Sequence, residues 1–167
     1  MWGKVVAAME GHPERLKVVR TLLDNGLAVR DSHIFLNRIE IPTVKVARVA
    51  EVDRRTVTET IRMIERSSEL KTVFSRFESA GLSLKGVAKH FGLGVVEIIA
   101  ADPHKAGIIA NSSRLMLDAG VSIRQALVDD PELAPDPKLV LIGDRPVPGE
   151  LIPKLLKIEG VAKVSVY

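Results

Sequence analysis

Residues 43–64 read TVKVARVAEVDRRTVTETIRMI, and the spacing of their apolar side chains decides how the first half of the chain folds. The pattern predicts a helix from about Val44 to Ala50, a tight turn through Glu51–Asp53 and a second helix from Arg54 to about Arg66. Ala47 is small enough for two helices to cross closely, and Val52 is placed to cap the core between them. Val57, Ile61 and Ile64 follow at steps of four and three, which puts them on one buried stripe. Asp53 precedes the second helix, where its carboxylate can accept a hydrogen bond from a free backbone N–H. The opposite face carries Arg55, Thr58, Glu59 and Arg62, with Arg54 at the helix start within reach of a phosphate.

This segment resembles the helix-turn-helix of DNA-binding regulators, whose second helix enters the major groove. The resemblance makes Arg54, Arg55, Thr58, Glu59 and Arg62 the candidate DNA contacts. Arginine can read a guanine edge with two hydrogen bonds, and threonine can meet a base or a backbone oxygen. One departure is Glu51, which stands where the turn usually carries glycine. A helical hairpin with an ordinary solvated face is the competing reading of the same residues.

On the N-terminal side, His12-Pro13-Glu14 opens a helix in which Leu16, Val19, Leu22 and Leu23 recur at helical spacing. Asn25-Gly26 stops it. Residues 27–41 hold two β-prone runs, Ile34-Phe35-Leu36 and Ile39-Glu40-Ile41, with the turn-like Asp31-Ser32-His33 before them, and predict a short hairpin closed by Pro42. On the C-terminal side, Leu70, Val73, Phe74 and Phe77 predict a helix packing on this domain or on a partner copy. The irregular Gly81–Gly86 follows, and the boundary between modules is expected near Gly92–Gly94. Residues 1–92 then form a helical domain with a linker helix, and residues 93–167 a second domain.

The second domain changes period. Val95–Ala101 is a near-continuous apolar strand, Gly107–Ala119 a helix ending at Gly120, Val121–Val128 and Lys138–Ile142 two further strands. Glu150–Glu159 forms a helix that tolerates Pro153 only in its first turn. Ala162, Val164 and Val166 alternate with Lys163 and Ser165 as a one-sided strand. The order β-α-β-β-α-β gives a ferredoxin-like sandwich, so the chain is expected to be α+β overall.

A superfold names no function. Residues 94–167 resemble an ACT domain, a regulatory module that binds amino acids or similar small effectors. The family's glycine-bearing loop corresponds to His104-Lys105-Ala106-Gly107 followed by Ile108, and its segment after the first helix to Gly120-Val121-Ser122-Ile123. A small residue at a helix N-terminus lets backbone N–H groups approach a carboxylate. The resemblance therefore implies effector binding by Asp102, His104, Lys105, Ala106, Gly107, Ile108, Val121, Ser122 and Ile123. His104 replaces the family's usual aspartate, and Asp102 lies two residues earlier. Asp144-Arg145-Pro146 with Gly149 looks closer to the family motif but sits in the pseudo-symmetric connection, where it reads as a proline-fixed turn. Over nearly its full length the chain is similar to archaeal proteins described as predicted regulators of amino-acid metabolism; Val121–Ala126, Asp129-Asp130-Pro131 and Pro148–Leu151 carry that likeness.

Composition narrows the alternatives. The 167 residues contain no cysteine, which excludes a disulfide scaffold, a thiolate metal site and a cysteine nucleophile. No apolar run approaches the ~18 residues of a membrane span. Met1–Met9 contains Lys4 without a long apolar core, so secretion is not expected and a cytoplasmic location is. Residues 1–93 hold sixteen basic and eleven acidic side chains, and residues 94–167 eight and ten. A basic front half and a faintly acidic back half fit a polyanion partner and a small polar one. His12, His33, His90 and His104 lack ligand spacing, and Asp129, Asp130, Glu132 and Asp136 read as a solvated loop, so no metal is expected. No catalytic constellation appears, which argues against an enzyme and for no cofactor beyond an amino-acid effector.

The leading expectation is an amino-acid-responsive transcription regulator that binds DNA as a homodimer or higher homo-oligomer, with its effector at a subunit interface. The alternative is an effector-sensing protein that contacts a biosynthetic enzyme without binding DNA.

Overall fold

Val57, Ile61 and Ile64 are all buried in the computed structural model, which describes residues 2–167; Met1 and the Trp2 and Lys4 side chains lie outside the described residues. They belong to helix α4 (Arg54–Arg66), whose entry Asp53 caps by accepting from the Thr56 N–H at 2.8 Å. The preceding helix is α3 (Thr43–Val49). Its exit is a double hydrogen-bonded cap, with Val52 N–H donating to Ala47 O at 3.0 Å and Glu51 N–H to Arg48 O at 3.4 Å. That geometry requires a left-handed residue at Glu51, which has φ +55°. Glycine adopts this conformation without the ~1–2 kcal/mol that a Cβ adds, although it gives back ~0.5–1 kcal/mol through the unfolded chain. Glu51→Gly is therefore expected to stabilise the protein by about 0.5–1 kcal/mol, read as a higher urea midpoint at unchanged slope.

The chain divides into two compact units, residues 1–81 and 82–167. In the first, α1 (Trp2–Ala8) and α2 (Pro13–Asp24) precede three short strands, β1 (Leu27–Arg30), β2 (His33–Leu36) and β3 (Ile39–Ile41). These form an antiparallel meander in the order β1-β2-β3, one strand more than the expected hairpin. Asp31 and Ser32 both take positive φ at the first turn, and Glu65 of α4 holds them by accepting from Ser32 N–H at 2.6 Å and its hydroxyl at 2.7 Å. Helix α5 (Ser68–Phe74) ends before Phe77, shorter than the apolar spacing predicts. The chain leaves it because Arg30 draws off the Ser75 carbonyl at 3.0 Å and Asn37 accepts from Ser79 N–H at 2.9 Å. Ser79 then passes so close to Gly26 that a Cβ there would lie 2.9 Å from its Cα.

The second unit contains β4 (Gly94–Ala100), α6 (Ile108–Asp118), β5 (Ile123–Val128), β6 (Lys138–Gly143), α7 (Leu151–Leu156) and β7 (Val161–Val166). Its antiparallel sheet runs β5-β6-β4-β7, the ferredoxin-like arrangement with the first and third strands in the centre. Pro153 lies in the first turn of α7, as its missing N–H demands. One sheet face packs Val96, Ile98, Leu139 and Leu141 against Met116 of α6 and Leu151 and Leu155 of α7.

The other face explains why the division falls between Gly81 and Leu82, before the boundary expected at residues 92 and 93. A 3₁₀ helix (Lys85–Phe91) packs Ala88, with Leu93, on Val95, Val140 and Ile142. Gln125 ties down its entry, accepting from Leu84 N–H at 2.8 Å and donating to Leu82 O at 2.6 Å. Buried Glu97 accepts from Lys85 and lies 3.4 Å from Lys138; the Lys85 ammonium holds its carboxyl below the ordinary value. Gly94 starts β4, where a Cβ would meet Arg145 O at 2.5 Å.

Candidate nucleic-acid interface and effector pocket

Helix α4 buries one face and exposes Arg54, Arg55, Arg62 and Arg66, with Thr58 and Glu59 partly shielded between them. Arg55, at 84% side-chain exposure, donates through Nε to Glu59 Oε1 at 2.9 Å. Glu59 Oε2 accepts from Arg15 of α2 at 3.1 Å, so both carboxylate oxygens already hold a guanidinium. The Arg55 and Arg15 hydrogen bonds keep the Glu59 carboxyl below its ordinary value and ionised. Arg54 donates to the Thr43 hydroxyl at 3.3 Å, linking the starts of α3 and α4, and the Thr58 hydroxyl donates to Arg54 O at 3.1 Å. All five sequence-predicted contacts therefore lie on one helix, four of them in hydrogen bonds of their own. Arg15 and Arg66 border the same row and are not among those candidates. Arg66 lies four residues beyond Arg62 and its place was legible; Arg15 comes from another helix and left no local signal.

In the second unit, Gly107 precedes α6 at φ +97°, and no side chain caps that helix start. Lys105, Ala106, Gly107 and Ile108 line a cavity of about 400 Å³ together with Asp129 and Lys138. Free backbone donors at a helix N-terminus suit a carboxylate, and the apolar wall of Ile98, Val128 and Leu139 suits a small side chain. Lys105 does not aim a free charge there: its ammonium pairs with Glu159 at 2.7 Å. Asp102 accepts from His104 N–H at 3.0 Å and shapes the loop, while the His104 ring lies 3.7 Å from Glu132. Neither lines the cavity.

Val121, Ser122 and Ile123 sit at the other end of α6, about 16 Å along an eleven-residue helix. Both backbone groups of Ser122 bond Asp144: its carbonyl accepts from the Asp144 N–H at 2.8 Å and its N–H donates to the Asp144 carboxylate at 3.1 Å. Val121 Cγ1 would stand 2.4 Å from a Cβ on Gly143. The structure thus brings four of the nine predicted effector residues to one cavity and adds Asp129 and Lys138, which the sequence placed in a loop and a strand. Among the described residues, no group of acidic or histidine side chains is placed to hold a metal ion, and no helix is long and apolar enough to cross a membrane.

The geometry defines a helix-turn-helix unit followed by a unit of ferredoxin-like topology. No protein-family model matches the chain, and no curated protein matches it. Solved structures similar to it include transcriptional regulators. The leucine response regulatory protein of Mycobacterium tuberculosis is 16% identical over 93% of this chain and 90% of its own, with a TM-score of 0.29. A transcriptional regulatory protein of the AsnC family from Pyrococcus furiosus is 14% identical over 92% and 85%, at 0.28. A Neisseria meningitidis transcriptional regulator in complex with L-Met is 14% identical over 92% and 86%, at 0.26. At such TM-scores the likeness is too loose to assign a role to any residue here.

Proposed function

We propose that the chain is an amino-acid-responsive DNA-binding transcription regulator without catalytic activity. The observation that carries this reading is the row of exposed Arg55 and Arg62 with half-buried Thr58 between them on α4, set behind a capped helix-turn-helix. α4 enters the major groove, Arg55 and Arg62 meet base edges, and Arg54 meets the backbone. The second unit is an ACT-like module that takes a small zwitterion, its carboxylate on the α6 N–H groups and its ammonium toward Asp129. Two copies pair, so that two α4 helices address half-sites about one helical turn apart. The protein works in the cytoplasm.

A thermal-shift screen of amino acids tests the sensing half. A ligand at about a hundred times its Kd adds ~2.7 kcal/mol and raises Tm by several degrees. Gly107→Val is expected to lose that shift, measured against the variant's own Tm, because valine cannot hold φ +97° and covers the helix start. A shift that survives in Gly107→Val contradicts the placement; no shift with any amino acid contradicts the sensing role.

A further inference from the structure

Arg15, Glu59, Arg62, Met63 and Arg66 enclose a pocket of about 390 Å³ between α2 and α4. Three guanidinium groups share it with one carboxylate. Arg62 and Arg66 form no ion pair among the described residues. Arg15 is mostly covered, with 22% of its side chain exposed, and two of its five N–H donors are engaged, one with Glu59 and one with Met63 Sδ at 3.7 Å. Packing three like charges around a single counter-charge leaves a net excess of two, which an incoming anion would relieve. Guanidinium forks match the oxygens of a phosphate in geometry as well as charge. Glu59 is poorly disposed to read a base, since each of its oxygens already accepts from an arginine.

We infer that Arg15 and Arg66 of this pocket seat a phosphate of the duplex backbone, leaving Arg62 between them for a base edge, and that Glu59 is a positioning residue that aims Arg55 and Arg15. The inference rests on the DNA-binding reading above. It assigns to α2 a contact that fixes how far α4 penetrates the groove: the pocket flanks the second half of α4, while Arg55 lies one turn before it. A backbone contact carries no sequence information, so Arg15 and Arg66 set register and affinity, and Arg55 and Arg62 set discrimination.

The test is duplex binding by the full chain, followed by fluorescence anisotropy across a salt series. Wild type, Arg15→Ala, Glu59→Ala, the double variant and Arg55→Ala are compared on mixed-sequence duplex. Arg15→Ala is expected to lower affinity by about tenfold at physiological salt and to flatten the log–log salt slope by about 0.9. The same flattening is expected between Glu59→Ala and the double variant, where no ion pair remains for Arg15 to serve. Glu59→Ala alone is expected to strengthen binding to any duplex while narrowing the preference among sequences.

If Arg15→Ala leaves the slope unchanged in the Glu59→Ala background, Arg15 only supports Glu59 and the inference fails. If Arg15→Ala is silent while Arg55→Ala weakens binding, the inference fails and the DNA-binding reading stands. If wild type binds no duplex, both fail. Phosphorus NMR of inorganic phosphate separates the sources of the anion: Arg15-dependent line broadening without any duplex effect assigns the pocket to a free phosphate and overturns the duplex contact.

Discussion

Replacing Arg55 and Arg62 together by alanine is expected to weaken duplex binding by about one and a half to four powers of ten, at ~1–3 kcal/mol for each arginine that meets a base edge. Among the described residues Arg55 is exposed and pairs only with Glu59, and Arg62 is exposed, so neither change touches the core that holds α4 in place. Far-ultraviolet circular dichroism and Tm should stay at wild-type values. The loss should be larger on a selected sequence than on mixed duplex, and the salt slope should flatten by about two phosphate equivalents at most. Lysine at both positions would restore the charge without the planar fork, so affinity for mixed duplex should return while discrimination does not. An affinity unchanged in the double alanine variant would make the row an ordinary solvated face.

Phe74→Ala is expected to be the most destabilising of the single substitutions considered, at about 3–5 kcal/mol. Phe74 is fully buried at the end of α5, and its ring meets Phe77 edge-to-face at 5.1 Å between centroids. It belongs to the cluster that also holds Ile61 and Ile64, so the cavity opens beneath α4. In a unit of this size, that loss lowers Tm by roughly 15–25 °C. Scanning calorimetry of the full chain should show the transition of residues 1–81 moving and that of residues 82–167 staying. Equal displacement of both would mean that the two units melt as one.

Much of this architecture is legible in the sequence where the signals are local. Asp53, Val57, Ile61 and Ile64 locate α4 because a cap and a stripe are properties of neighbouring residues. Glu51 could be flagged as a departure from glycine, but only the two hydrogen bonds at the end of α3 explain why a left-handed residue belongs there. In the second unit the strand and helix order is readable from period alone, whereas the sheet order β5-β6-β4-β7 depends on pairings between distant segments. The strand that the hairpin reading lacks is the first: Leu27, Ala28 and Val29 of β1 are all buried in succession, so no alternation marks it in the sequence.

The boundary shifts for a related reason. Gly92 and Gly94 look alike in sequence, yet Gly92 ends the 3₁₀ helix at φ +66° and Gly94 admits the 145–147 backbone against β4. Ala88 and Leu93 belong to the sheet they cover, which no local spacing announces. At the sites, a residue's chemistry is visible in its letter but its partner is not. Lys105 is a cation in the right loop, and Glu159 takes its charge. Asp102 is a carboxylate near the helix start, and the His104 backbone takes its oxygen. Arg15 gains its meaning only from α4 beside it.

The central claim, that α4 grips a duplex, is tested most directly by the salt dependence of the wild-type chain's binding to DNA. Log affinity should fall in a straight line with log salt, with a slope of about −0.9 for each phosphate neutralised and several phosphates engaged. A flat line, or no retention of duplex at low salt, would contradict it.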